Sequence, residues 1–117
     1  MLRTIGTSYR GDDNLTVTLN SFVKTETDGS YRYTFNYTLK NENVDTEIGE
    51  GTWKIFKAGG GGTPQYGSFN NLFYNGTRTR SYTFEVLKNV SYLFIAYHSD
   101  VFFQDTPPGN ALVFALP

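Results

Sequence analysis

The residues from Tyr31 to Lys40 alternate without a slip. Tyr31, Tyr33, Phe35, Tyr37 and Leu39 fall on one side, and Arg32, Thr34, Asn36, Thr38 and Lys40 on the other. Side chains on a strand point alternately to its two faces, so this run predicts a sheet with one dry and one wet face. Such a sheet is antiparallel, because a parallel strand covered on both faces reads as continuously apolar. The fold class expected is therefore all-β.

Composition supports this. Aromatic residues make up 17% of the 117 residues, with ten Phe, nine Tyr and one Trp. Each such ring buries about 150–250 Å², so few residues fill much of a core. There is no cysteine, which removes disulfides and thiolate metal sites. The length fits one domain over 1–117, able to bury about two thirds of its unfolded surface without staples. A formal charge of −1, with Lys and Arg scattered singly, argues against nucleic acid, which needs a basic patch. No apolar run approaches the ~20 residues of a membrane-spanning helix, so membrane insertion is not expected.

Turn signals separate about seven strand-like segments, the spacing of a sandwich. They are Leu2–Tyr9, Leu15–Thr25, the alternating run itself, Gly51–Lys57, Thr79–Leu87, Tyr92–Tyr97 and Ala111–Leu116. In the second, Phe22 breaks the parity of Leu15, Val17 and Leu19, which predicts a bulge near Asn20-Ser21. Asp28-Gly29 predicts a hairpin. In the fourth, Trp53 and Ile55 share one face and Phe56 takes the other. In the fifth, Tyr82, Phe84 and Val86 face inward. The sixth is apolar on both faces and reads as a central strand, and the seventh closes the sheet. Two connections are unusual. The link from Ala58 to Arg78 holds Gly59–Gly62 and is longer than ordinary loops, and it carries Tyr66, Phe69, Phe73 and Tyr74. The other, Asp100–Asn110, carries Phe102-Phe103 and Pro107-Pro108.

From about residue 31 to 116 the order of signals resembles a known family. The strand running into an Asn-rich turn (Tyr33–Asn43) is followed by Trp53-Lys54-Ile55-Phe56. Leu72 and Gly76 then lead to Tyr82-Thr83-Phe84, a Tyr-led strand ends at Asp100, and Asn110 precedes the last strand. This resembles the CARDB-type domain, the cell-adhesion-related, immunoglobulin-like β-sandwich of bacterial and archaeal surface proteins. The family usually carries paired Asn and a Glu before its final strand, whereas Asn110 stands here alone after Asp105. The resemblance implies a single immunoglobulin-like antiparallel sandwich of about seven strands. It also implies a non-catalytic binding, adhesion or spacer module, extracellular or at the cell surface. The N-terminus has no apolar stretch of a secretory signal, so either the protein stays inside its cell or, as the resemblance implies, it is a mature domain of a longer exported protein or assembly.

Candidate chemistry is sparse. His98 with Ser99 and Asp100 lacks the converging geometry of a triad, since neighbours on a strand end point to opposite sides. Asp100 and Asp105 with Asn110, and Asp12-Asp13-Asn14, offer oxygen ligands for calcium but equally form turns. Glu47 and Glu50 are the nearest approach to a carboxylate pair, which glycoside hydrolysis needs about 5–10 Å apart in a cleft. An enzyme is not expected, and no cofactor pattern is present. Ligand binding falls instead to the rings of Trp53, Tyr66, Phe73 and Tyr74, which stack on sugars or anchor a protein partner. The bland alternative is that Phe69 and Phe73 fold back to cap one end of the sandwich. Phe102-Phe103 offers an interface to an adjoining domain or subunit, since one ring faces out if the other faces in, against the bland and favoured reading that the pair packs into the core. Two alternatives stay open: a carbohydrate-binding module using Trp53, Tyr66 and Tyr74, and a structural subunit of a virus or phage particle. The ligand and the oligomeric state are not legible.

Overall fold

The computed structural model describes residues 2–11, 14–59, 64–67 and 71–117. Among these the chain is all-β. Its ten strands are β1 (Ser8–Arg10), β2 (Thr16–Glu26), β3 (Ser30–Asn41), β4 (Ile48–Gly49), β5 (Thr52–Lys57), β6 (Tyr66–Gly67), β7 (Leu72–Phe73), β8 (Gly76–Leu87), β9 (Tyr92–His98) and β10 (Leu112–Ala115). Every pairing between them is antiparallel. The first sheet has the order β1-β2-β3-β8, the second β10-β9-β5-β6, and β4 pairs with β7 in a third.

The alternating run is β3. It is paired along its length with β8 on one side and β2 on the other. Tyr33, Phe35, Tyr37 and Leu39 are buried, as the period-2 pattern requires. The register with β2 slips between Leu19 and Ser21. This bulge, placed where the parity breaks, turns Phe22 back toward the rings of Tyr33, Phe35 and Phe84.

Both four-stranded sheets contribute to one apolar cluster. Trp53 is its centre, fully buried, with ring centroids 5.1 Å from Tyr37 and 5.8 Å from Phe35 on the first sheet. It lies 5.3 Å from Tyr97 and 5.9 Å from Phe114 on its own. A second, smaller cluster of Phe56, Ala96, Phe102 and Ala111 covers the other face of β5 and β9. Hence β9, between β5 and β10, is apolar on both sides.

Three differences from the sequence expectation have physical causes. The N-terminal segment is not one strand from Leu2. Arg3 pairs in parallel with Phe114, Gly6 turns the chain at φ 89°, and only then does β1 pair with β2. The segment thus divides its hydrogen bonds between two sheets. The link after Ala58 is not irregular throughout, because it supplies β6, β7 and the first residues of β8. Phe73 is buried and Tyr66 half-buried, and buried backbone needs partners that strand pairing provides. Gly59 takes φ 80°; Gly60, Gly61 and Gly62 lie outside the described residues. Finally, the strands among the described residues number ten rather than about seven, the three additions being two residues each.

Candidate functional site

One end of the molecule gathers the loops. There β3 stops at Asn41, whose side chain is fully buried. Its Nδ2 donates to the carbonyls of Thr46 (3.1 Å) and Phe73 (2.8 Å), and its Oδ1 accepts from the backbone N–H (3.0 Å) and Nδ2 (2.9 Å) of Asn43. A buried amide satisfied on both sides is a fixed joint. It ties the turn at residues 42–47 to β7, which pairs with β4. The two loops so joined carry three exposed apolar side chains: Val44 at 66%, Leu72 at 56% and Tyr74 at 53% relative exposure.

The rings expected to bind a ligand are not assembled into one surface. Trp53 is enclosed in the core and presents no face to a ligand. Phe73 is also buried, pairing with Ile48 under the guanidinium of Arg78, 4.9 Å from its centroid, and so caps this end. Tyr66 is half-buried between the sheet edges, 5.6 Å from Phe84 and 5.9 Å from Tyr82. Of the four, Tyr74 alone stands mostly in solvent. Phe69 lies outside the described residues.

The connection after β9 divides its pair as the alternation requires. Phe102 is buried edge-on to Phe56 at 5.5 Å, while Phe103 is 85% exposed. Gln65 fixes this arrangement. Its Oε1 accepts from the N–H of Phe102 (2.7 Å) and its Nε2 donates to the carbonyl of Phe102 (2.9 Å). The Thr52 hydroxyl adds a bond to the Asp100 carbonyl at 2.7 Å. Asp100 uses its carboxylate on the N–H of Val101 (2.7 Å), and the Asp100 N–H donates to His98 Nδ1 at 3.3 Å. Among the described residues no three His, Cys, Asp or Glu side chains cluster as metal ligands. Asp12 and Asp13 lie outside those residues.

Sequence reasoning missed an ion pair inside the molecule. Glu50 is fully buried, and both its oxygens accept from Arg80, Nε to Oε1 and Nη2 to Oε2, each at 3.0 Å. These bonds, and the negative charge behind them, hold the guanidinium above its ordinary range. Glu47 stays exposed, so the two glutamates do not form a pair in a cleft. Beside this ion pair the Tyr37 hydroxyl and the Trp53 Nε1 are buried with no hydrogen-bond partner among the described residues. Burial pushes the Tyr37 phenol well above its ordinary 10.0, with the charges of Tyr82 and Glu50 acting the same way. One sequence signal for the pair existed: Arg80 shares the inward parity of Tyr82, Phe84 and Val86.

Comparison with protein-family models, with characterised proteins and with solved structures finds no match for this chain. The functional reading therefore rests on the geometry and the sequence pattern.

Proposed function

We propose that this chain is an immunoglobulin-like sandwich serving as a non-catalytic binding or adhesion module, one unit of an extracellular or cell-surface protein or assembly. It engages a protein or glycan partner through the loop end that carries Val44, Leu72 and Tyr74. The observation that supports this most is the exposure of those three apolar side chains on loops that a buried Asn41 holds together. An apolar patch with a phenol at its edge suits a partner surface, and a preorganised patch loses little entropy when it docks. The sandwich architecture is supported by the sharing of one core between two antiparallel sheets. The strand order and the Asn-rich turn at residues 41–43 support the CARDB-like assignment. A carbohydrate-binding reading draws on Tyr74 and Tyr66, since Trp53 is enclosed.

A photoreactive amino acid at position 74, compared with one at position 83 on the first sheet's outer face, tests the site in the producing organism. A defined adduct at 74 and not at 83, lost in a Val44→Ser/Leu72→Ser background, is expected. Equal labelling at both positions, or none, counts against the proposal. A glycan array then separates the partner classes, with Tyr74→Ala abolishing retention only if the partner is a sugar.

A further inference from the structure

The end opposite the loop patch holds a cavity of about 270 Å³ between the margins of the two sheets. Its walls include Tyr31, Tyr33 and Lys24 from the first sheet, Tyr92 from the second, and the turn Lys88–Ser91 between β8 and β9. Lys24 is an unexpected residue here. After the bulge it shares the face of Phe22, because Phe22 pairs with Phe35 and Lys24 with Tyr33. A cation therefore stands at an inward-facing position, and its Nζ lies 4.0 Å from the centroid of Tyr31. Lys88 converges on the same ring at 5.4 Å. Lys24 has no carboxylate within ion-pair distance among the described residues, whereas Lys88 reaches Glu26 at 3.4 Å. Asp28 lies in the hairpin whose Gly29 carbonyl accepts from the Lys88 N–H at 3.1 Å. Pro117 also lines the cavity, its main-chain carboxylate accepting from the Tyr33 hydroxyl at 3.4 Å and competing with an anion for the lysines.

We propose that this cavity is a binding site for a tetrahedral oxyanion, the sulfate or phosphate group of a small substituent. Two ammonium groups meet there with the hydroxyls of Tyr31, Ser91 and Tyr92 and the amide of Asn89, all groups that donate hydrogen bonds. Charge-assisted donors of this kind are the strong ones for oxyanions. Lys is a compact point charge with three rotatable donors, which suits an anion approached from several sides. Arg, with its planar fork, pairs bidentately with carboxylate and phosphate alike, whereas Lys acts here as a point charge. The volume is at the small end for ligand sites, matching a single anionic group with its immediate carrier. Glu26 competes with the anion for Lys88, so it sets the affinity. This site lies at the other end from the proposed partner surface and does not depend on it.

Amide chemical shifts of the full chain, titrated with sodium sulfate and with inorganic phosphate against sodium chloride at equal ionic strength, test the proposal. Saturable shifts confined to Lys24, Tyr31 and Lys88–Tyr92 are expected. Lys24→Gln and Lys88→Gln should each weaken binding about tenfold, while Glu26→Gln should tighten it several-fold. All three side chains are on the exposed margin, and unchanged melting temperatures will show that the fold is kept. Glucose 6-sulfate against glucose 6-phosphate then distinguishes a sulfated from a phosphorylated source. Shifts that never saturate beyond the chloride control, or that persist unchanged in both lysine variants, overturn the site.

Discussion

At the scale of single residues, the buried ion pair decides most. Its two members differ in exposure, with the Arg80 side chain 39% exposed and Glu50 1%. Removing Glu50 lets the guanidinium rehydrate, so Glu50→Gln should cost about 1–3 kcal/mol. Removing Arg80 strands a carboxylate in the interior, so Arg80→Ala should cost about 3–5 kcal/mol. Urea midpoints at constant slope measure both, and a larger loss for Glu50→Gln would contradict the geometry. Tyr37 supplies a second test. Its hydroxyl is buried without a partner among the described residues, so Tyr37→Phe should change stability by less than about 1 kcal/mol at neutral pH. The folded-state pKa lies above the unfolded value of 10.0. The unfolded chain therefore releases this proton first, and stability present below pH 10.0 falls as the pH rises beyond it. Tyr37→Phe should show a shallower alkaline loss in melting temperature than the parent chain. An identical alkaline slope would remove the phenol from the account. Gly51 is a purely steric case, since an added Cβ would meet the His98 carbonyl and the Tyr97 hydroxyl. Gly51→Ala should cost about 3 kcal/mol or more, and a near-neutral melting temperature would mean that β9 can yield there.

At the scale of elements, β3 was the most legible part of the chain and the connections the least. A strand's two faces follow from backbone geometry alone, so Tyr33, Phe35, Tyr37 and the bulge before Phe22 could be assigned from spacing. Phe102 and Phe103 were likewise divided correctly in kind, but which ring went in depended on Gln65. That residue lies in the glycine-rich link, 37 positions away. Trp53 shows the opposite failure. Its size made it a natural platform for a sugar, yet its parity with Ile55 already put it on a covered face. Gln65→Ala should release the connection it holds. Amides at residues 101–103 should exchange faster by hydrogen exchange, with a global cost of about 1–2 kcal/mol. Protection unchanged at Phe102 would show that the Phe56 contact alone is sufficient.

At the scale of the molecule, the described residues extend over 49 × 25 × 24 Å with the principal cluster shared by both four-stranded sheets. Because Trp53 touches rings of both, neither sheet keeps its apolar face covered once the other leaves. Urea unfolding followed by Trp53 fluorescence and by far-ultraviolet circular dichroism should therefore give coincident transitions. Separated midpoints would mean that one sheet survives alone. The amino-acid order by itself determined the all-β class, the inward and outward faces and the position of the bulge. These are properties of a few consecutive residues, fixed by the two-residue repeat of an extended backbone. Only the tertiary structure decided that Arg80 meets Glu50, that Asn41 joins two loops, and that Lys24 and Lys88 converge on Tyr31. Each of those includes at least one partner far away in the chain (Arg80 from Glu50, Phe73 from Asn41, Lys88 from Tyr31), and their encounter depends on the path the strands take between them.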